Sequence, residues 1–403
     1  MALGVVRALG EAGVPVSVAG YHPGDFAHVS RHVVEAFSVP PPHQQERAFV
    51  EAILGAVERL GAALLVPASD EAVVALSRSR ELLARHCAVA APPWEVVRAF
   101  IEKRRTYEAA DDAGVPAPVT LVPRSVEEAK AFAAHLGFPL LLKPSQSHLF
   151  FDRFRRKMVV AHTLRELVDG LEQARDAGLE VLVQEIVPGP DTEVVNYNAY
   201  FWGGRPLVEF TARQLRKAPP RFGSPRVVRS EHVEGILEPG RAMLRALALE
   251  GFACCEFKRD PRTGRYTILD VNGRHNLSGL LAVRCGINFP LLQYRHLVYD
   301  ELPRAAPFRE GVYWTDLVRD LGYGLRFLFR ERLGPGAQLA PYLGVHCDAI
   351  LDRTDLGPFL TRCGKLARSA LTPAGSAGAG GPGDRRSATR VEPAAMQAPG
   401  DAG

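Results

Sequence analysis

Residues 252–274 read FACCEFKRDPRTGRYTILDVNGR, and the reading of the whole chain turns on them. Phe252–Arg259 and Tyr266–Asn272 are two β-type runs. Asp260-Pro261-Arg262-Thr263-Gly264 joins them, and its Pro-x-x-Gly chemistry suits a hairpin turn. A turn centred near Thr263 sets Glu256 opposite Asp270 and Cys254 opposite Asn272. Asp270 and Asn272 are two residues apart, so they share a face of their strand. Two carboxylates directly across a ladder repel one another and weaken the sheet.

A cation between them removes that repulsion. Two carboxylates and an amide carbonyl form an oxygen-only donor set, which suits Mg²⁺ or Mn²⁺ carrying a nucleotide phosphate and does not suit zinc. Arg274 extends the same face just past the strand end, where it could hold an anion. From spacing alone, a solvated outer face with mixed charges stays equally open. Two lysines bear on the choice. Lys143 ends the apolar run Leu140-Leu141-Leu142, which places an ammonium at the mouth of a sheet, and Lys103 sits on a helix expected over 95–113. Each alone reads as a surface lysine, but together with the acidic hairpin they make opposite ends of a phosphate clamp. In Gln184-Glu185-Ile186-Val187-Pro188-Gly189-Pro190-Asp191 a strand runs into a turn followed by an acid. Such a backbone can bond an adenine edge and such a carboxylate a ribose, although alone the segment reads as an ordinary turn.

Outward from these pieces, residues 1–90 alternate helix and strand signals, the rhythm of a parallel sheet. Helices are expected over 2–11 and 46–60, and strands over 14–18 and 62–66. Helix comes first, although doubly wound domains open on a strand and a glycine turn, so a preceding strand is expected to be missing. Ser125 and Thr163 are N-cap residues of helices reaching Leu136 and Ala177. Strands are expected at 140–142, 159–161 and 181–185, β-rich chain over 192–230, and a helix over 239–249. A helical pattern covers Val312–Phe329, within a mostly helical 306–372. From Pro373 the chain is dominated by Gly, Ala, Pro and Ser, too little apolar surface to offset ordering, so 373–403 reads as a disordered tail.

The 403 residues carry 49 Lys+Arg against 45 Asp+Glu, a formal charge of +4, too balanced to suggest a nucleic-acid or membrane partner. No apolar run approaches the ~20 residues of a membrane span, and Arg7 and Glu11 come too early for a secretory signal. Six scattered cysteines without zinc-finger spacing point to reduced thiols and a cytoplasmic setting. Adjacent Cys254 and Cys255 point to opposite faces and cannot jointly chelate; His275 reads as structural, and His346-Cys347-Asp348 lacks zinc spacing.

In their order, these pieces resemble the ATP-grasp superfamily of ATP-dependent carboxylate–amine ligases, of the carboligase or carbamoyl-phosphate-synthase-like kind. The resemblance covers about Glu95–Leu302. Lys103 with Ala113-Gly114-Val115-Pro116 resembles the first nucleotide lysine and the turn after it. Phe138–Pro144 resembles the strand bearing the second lysine, and 184–191 the adenine hinge. The resemblance implies an α/β ATP-grasp fold over 95–305, two α+β subdomains gripping ATP, preceded over 1–94 by a truncated Rossmann-like preATP-grasp domain. It implies ATP with Mg²⁺ or Mn²⁺ as cofactors. Lys103 and Lys143 would hold phosphates, and Gln184, Glu185, Val187 and Asp191 the nucleoside. Glu256, Asp270 and Asn272 would hold the metal, and Arg274 the acyl-phosphate oxygens. The substrates would be a small-molecule carboxylate and an amine, with a homodimer as a possible assembly.

Two departures stand out. The loop 145–157 lacks the usual phosphate-cradling glycines, so its serines and cations, Lys157 among them, would substitute. Gln214 stands where relatives present a lysine to the γ-phosphate, and Arg216 or Lys217 would compensate. An ATP-binding protein without ligase activity is the alternative these departures leave open.

Overall fold

The computed structural model describes residues 1–22, 25–145, 150, 153–154, 158–327 and 335–371. The expected disordered tail and most of the glycine-free loop, Lys157 included, lie outside the described residues. Met1–Arg362 forms one compact unit, and a second unit begins at Cys363.

The chain opens with α1 (Ala2–Gly10), β1 (Val16–Gly20), β2 (Val33–Ser38), α2 (Glu46–Leu60), β3 (Leu64–Leu65), α3 (Asp70–Arg78), α4 (Arg80–Leu83) and β4 (Ala88–Val89). Helix α2 buries Phe49, Ile53 and Val57, four apart on one stripe, and Gly61 closes it in the left-handed region at φ 60°. Strand pairing here is parallel, as the alternation predicted. Among the described residues, however, it forms two separate two-stranded sheets, β1–β2 and β3–β4, and not one continuous Rossmann-type sheet.

The single helix expected over 95–113 is two: α5 (Trp94–Ile101) and α6 (Lys103–Asp112). Glu102 between them is extended at ψ 99°. Side chains replace the interrupted helix bonds. The Thr106 hydroxyl donates to the Ala99 carbonyl (2.8 Å), Lys103 Nζ donates to the Phe100 carbonyl (3.3 Å), and Glu102 takes both Arg98 and Arg105 (2.7 Å each). The break puts Lys103 at the first turn of α6.

Next come β5 (Thr120–Leu121), α7 (Val126–Leu136), β6 (Leu140–Pro144), β7 (Val159–Ala161), α8 (Leu164–Asp176) and β8 (Val181–Glu185). Ser125 and Thr163 cap α7 and α8, each accepting from the backbone N–H three residues on. The strands form an antiparallel sheet ordered β5-β8-β6-β7. Leu140, Leu142, Leu167 and Val183 pack between it and the two helices.

A larger sheet follows: β9 (Val194–Trp202), β10 (Arg205–Ala218), β11 (Ser224–Ser230), α9 (Leu237–Ala246), β12 (Gly251–Arg259), β13 (Tyr266–Asn272), α10 (Gly279–Arg284), α11 (Phe289–Tyr299), β14 (Tyr313–Thr315), α12 (Leu317–Phe327), α13 (Pro335–Leu343), β15 (His346–Asp348) and α14 (Gly357–Leu371). Its order is β13-β12-β9-β10-β11-β14-β15. The helix expected from Val312 therefore starts five residues late. Tyr313-Trp314-Thr315, aromatic and β-branched, pairs with β11 instead, and Trp314 is fully buried. Period-2 alternation splits the faces. Tyr197, Ala253, Cys255 and Phe257 pack toward α5 and α9, while Tyr200, Phe252 and Cys254 pack toward α10 and α11. The two adjacent cysteines do face opposite ways.

Candidate active site

The expected pairs are present, Glu256 opposite Asp270 and Cys254 opposite Asn272, although next to the turn Arg259 pairs with Tyr266, one residue off the expected register. The ladder then slips between Glu256 and Phe257, so Leu269 has no partner on β12. Its carbonyl is used from the other side, accepting Lys143 Nζ (2.8 Å) and the Tyr107 hydroxyl (3.0 Å). The same hydroxyl accepts from Lys143 Nζ (2.7 Å). The bulge thus fixes the second lysine beside the acidic face.

That face lines a cleft of about 1040 Å³. Of the residues expected at the site, Lys103, Lys143, Gln184, Glu185, Val187, Glu256, Asp270, Asn272 and Arg274 all line it. Lys103 bonds Asp270 directly, and Lys217 Nζ lies 3.3 Å from a Glu256 oxygen. Burial works against the Asp270 charge, but Lys103 and Lys143 outweigh it and hold this carboxyl below its usual range. Burial likewise opposes the Lys143 charge, yet Tyr107 and Asp270 leave its pKa raised, so it is an ammonium at neutral pH. The Cys254 thiol is pushed up to about 12 by burial and stays neutral. His275, driven down to about 4 by burial, is a neutral ring stacked on Phe252 and bonded to Gln293 (3.1 Å), which matches its structural reading.

The hinge is braced from behind. Gln184 is buried and donates to the Thr120 hydroxyl (2.7 Å). Glu185 accepts the Val119 N–H and pairs with Arg262 (3.0 Å each). The carbonyls of Val187 and Gly189 both accept from Lys258 Nζ (2.9 and 2.7 Å), an ammonium whose pKa burial lowers. Asp191 is not among the cleft-lining residues. Its carboxylate accepts the backbone N–H of Arg221 (2.9 and 3.1 Å), which does line the cleft.

Two expected groups sit differently. Arg274 reaches the cleft, but its guanidinium is clamped by Asp70 at the start of α3 (2.5 and 2.8 Å). Arg216 does not line the cleft; it is buried and paired with Asp320 (2.6 Å). Regular alternation would put Gln214 and Arg216 on one face. The β10–β11 ladder instead slips between Gln214 and Arg216 and again between Arg216 and Lys217. Gln214 and Lys217 consequently both reach the cleft.

Sequence reasoning missed Tyr107, Lys258, Asp70 and Asn196, all placed by contacts distant in the chain. Asn196 accepts from Gln214 Nε2 (2.9 Å), which also donates to Glu256 (2.8 Å). Among the described residues no group of three or more His, Cys, Asp or Glu is placed to hold a metal ion by itself. The expected donor set is two carboxylates and an amide. Beside it the buried Gln214 Oε1 has no protein partner. Hard oxygen donors in front of four lysines fit a divalent ion that brings phosphate with it.

No family model matches the chain. A D-aspartate ligase from Enterococcus faecium is 26% identical over 273 residues, 63% of this chain and 62% of that protein. A D-alanine–D-alanine ligase from Pseudomonas entomophila is 24% identical over 203 residues, 48% of this chain and 62% of that protein. The chain thus spans about three-fifths of the length of these relatives. Among solved structures, a biotin carboxylase from Campylobacter jejuni, crystallised with βγ-ATP, superposes with TM-score 0.61 at 17% identity, covering 77% of this chain and 72% of that one. An L-amino acid ligase from Bacillus licheniformis superposes with TM-score 0.57 at 17% identity, covering 73% and 70%. The two sheets, the cleft and these neighbours establish that the chain has the ATP-grasp fold.

Proposed function

We propose that this chain is an ATP- and Mg²⁺-dependent carboxylate–amine ligase, with 95–305 as its ATP-grasp module and 1–94 as the domain before it. One observation carries the reading: Lys103 and Lys143, far apart in sequence, meet the Glu256–Asp270–Asn272 face in one cleft. The D-aspartate and D-alanine–D-alanine ligases among its relatives support the reaction class.

In the reaction, a substrate carboxylate oxygen attacks the γ-phosphorus of ATP, and ADP leaves. The resulting acyl phosphate is attacked at carbon by an amine, and inorganic phosphate leaves. Little covalent work falls to the protein, so its task is positioning and charge stabilisation. Glu256, Asp270 and Asn272 would hold Mg²⁺, which supplies charge neutralisation at the phosphates. Lys103 exchanges Asp270 for a phosphate oxygen when nucleotide enters. Lys143, anchored by Tyr107 and Leu269, meets a second phosphate. Of the two cations expected to compensate for Gln214, Lys217 serves beside the transferring group and Arg216 does not. Gln184 and the 185–187 backbone meet the base, while Asp191, off the cleft and bonded to the Arg221 N–H, would act on the ribose only through that segment. Arg274 turns from Asp70 to steady the acyl-phosphate oxygens.

The substrates are small molecules. Six free thiols suit a reducing cytoplasm. No helix among the described residues is long and apolar enough to cross a membrane. A homodimer is the assembly we propose, by analogy with the biotin carboxylase domain dimer of Hydrogenobacter thermophilus. The test is ADP release screened over carboxylic acids and amines. The proposal requires release that depends on both substrates; ATP binding without release for any pair would leave a nucleotide-binding protein.

A further inference from the structure

We propose that Asp320, on α12, is a positioning residue that sets Lys217 in the cleft, and so gives residues 306–362 a part in the reaction. The proposal rests on the ligase reading above. Asp320 is 3% exposed, and its carboxylate sits between two guanidiniums: Arg216 Nη1 at 2.6 Å and Arg226 Nη1 at 2.5 Å. The Tyr342 hydroxyl donates to it as well. Arg226, 1% exposed, stacks on Tyr323 at 4.8 Å, and its Nε donates to the Lys217 carbonyl (3.1 Å).

These two arginines mark the register slips. Arg216 pairs with Val227 and Lys217 with Pro225, so Arg226 is the bulged residue that the ladder skips on β11, just as Leu215 is on β10. The slips turn Lys217 toward Glu256 and Arg216 away from the cleft. A one-residue change of register reverses which side chains face the cleft, so whatever pins the slips decides whether an ammonium stands there. Asp320 binds a residue at each slip with one carboxylate. Loss of its charge takes a shared counter-ion from two buried guanidiniums at the slips, and the ladder relaxes. A stability role alone does not require the second bond, from Arg226 to the Lys217 backbone.

The test is a thermodynamic cycle on nucleotide affinity, which needs no knowledge of the acid or amine. MgATP and MgADP are titrated calorimetrically into wild type, Lys217→Gln, Asp320→Asn and the double variant. The wild type is expected to favour MgATP by roughly tenfold, since only the triphosphate reaches Lys217. Lys217→Gln and Asp320→Asn should each abolish that preference, and the double variant should lose nothing more. If Asp320→Asn does not fold, Tyr342→Phe takes its place, with an expected two- to threefold loss of preference that vanishes in the Lys217→Gln background. Asp320→Asn that melts earlier yet keeps the preference overturns the proposal, as do additive losses in the double variant. A wild type that binds neither nucleotide overturns the ligase reading and this proposal together, and is told apart by the wild-type titration alone.

Discussion

Two antiparallel strand pairs of the large sheet face the same cleft, and they teach different lessons. In β12–β13 the ladder runs regularly from Cys254 to Glu256, and the residues named from alternation are the ones on the cleft. In β10–β11 two slips within four residues exchange Arg216 for Lys217. Chemistry needs side chains at fixed points. A regular stretch delivers them by counting, whereas past a bulge they are delivered only because something outside the strand holds the bulge. In the first pair the bulge at Leu269, between the turn and Glu256, is held by Lys143 and Tyr107 on its carbonyl; in the second the slips are held by a carboxylate on a helix about a hundred residues away.

The largest effect should come from the regular pair. Asp270→Asn or Glu256→Ala is expected to cut ADP release by about 10³-fold or more while circular dichroism still shows the wild-type fold, because the loss falls on charge in the transition state. Either variant retaining turnover would break the comparison at its firmer end. Next is the bulged pair: Lys217→Gln should lower turnover by about 10²-fold, roughly 3 kcal/mol of transition-state stabilisation. Tyr107→Phe is smaller. It removes the hydroxyl that bridges Lys143 and Leu269, so KM for ATP should rise severalfold, with about 1 kcal/mol lost from stability by denaturant titration.

Smallest is a pH effect. Asp270 has a lowered pKa in the folded chain, so its stabilising share is fully present above the unfolded carboxyl value of about 3.9 and fades as pH falls through the folded value. Melting curves should therefore flatten below pH ~4 in Asp270→Asn relative to wild type. An unchanged acid limb would mean Lys103 does not bind that carboxylate in solution.

Local signals made much of the fold legible. Ser125 and Thr163 as caps and the Pro-x-x-Gly turn each act within a few residues. The hairpin and its Glu256–Asp270 pair were legible from the turn, but the bulge at Leu269 that produces the pair was not. What stayed hidden is set at long range. The break at Glu102 depends on Thr106 and Lys103 reaching back to α5 carbonyls. Tyr313–Thr315 is a strand because β11 offers an edge, although its neighbours read as helix. Nothing in the local pattern marks Lys258, whose place is set by the Val187 and Gly189 carbonyls about seventy residues earlier. Arg274 was foreseen as an anion ligand, but its clamp by Asp70 comes from 204 residues away and leaves no mark in local pattern.

The claim beneath all of this is that the hairpin's oxygen face takes a metal bound to nucleotide. Calorimetric titration of ATP with and without Mg²⁺ tests it most directly, in wild type and in Glu256→Ala. The account predicts wild-type binding that tightens strongly with Mg²⁺ and a variant in which Mg²⁺ makes no difference. Wild-type affinity indifferent to the ion, or a variant that still responds to it, would contradict the account.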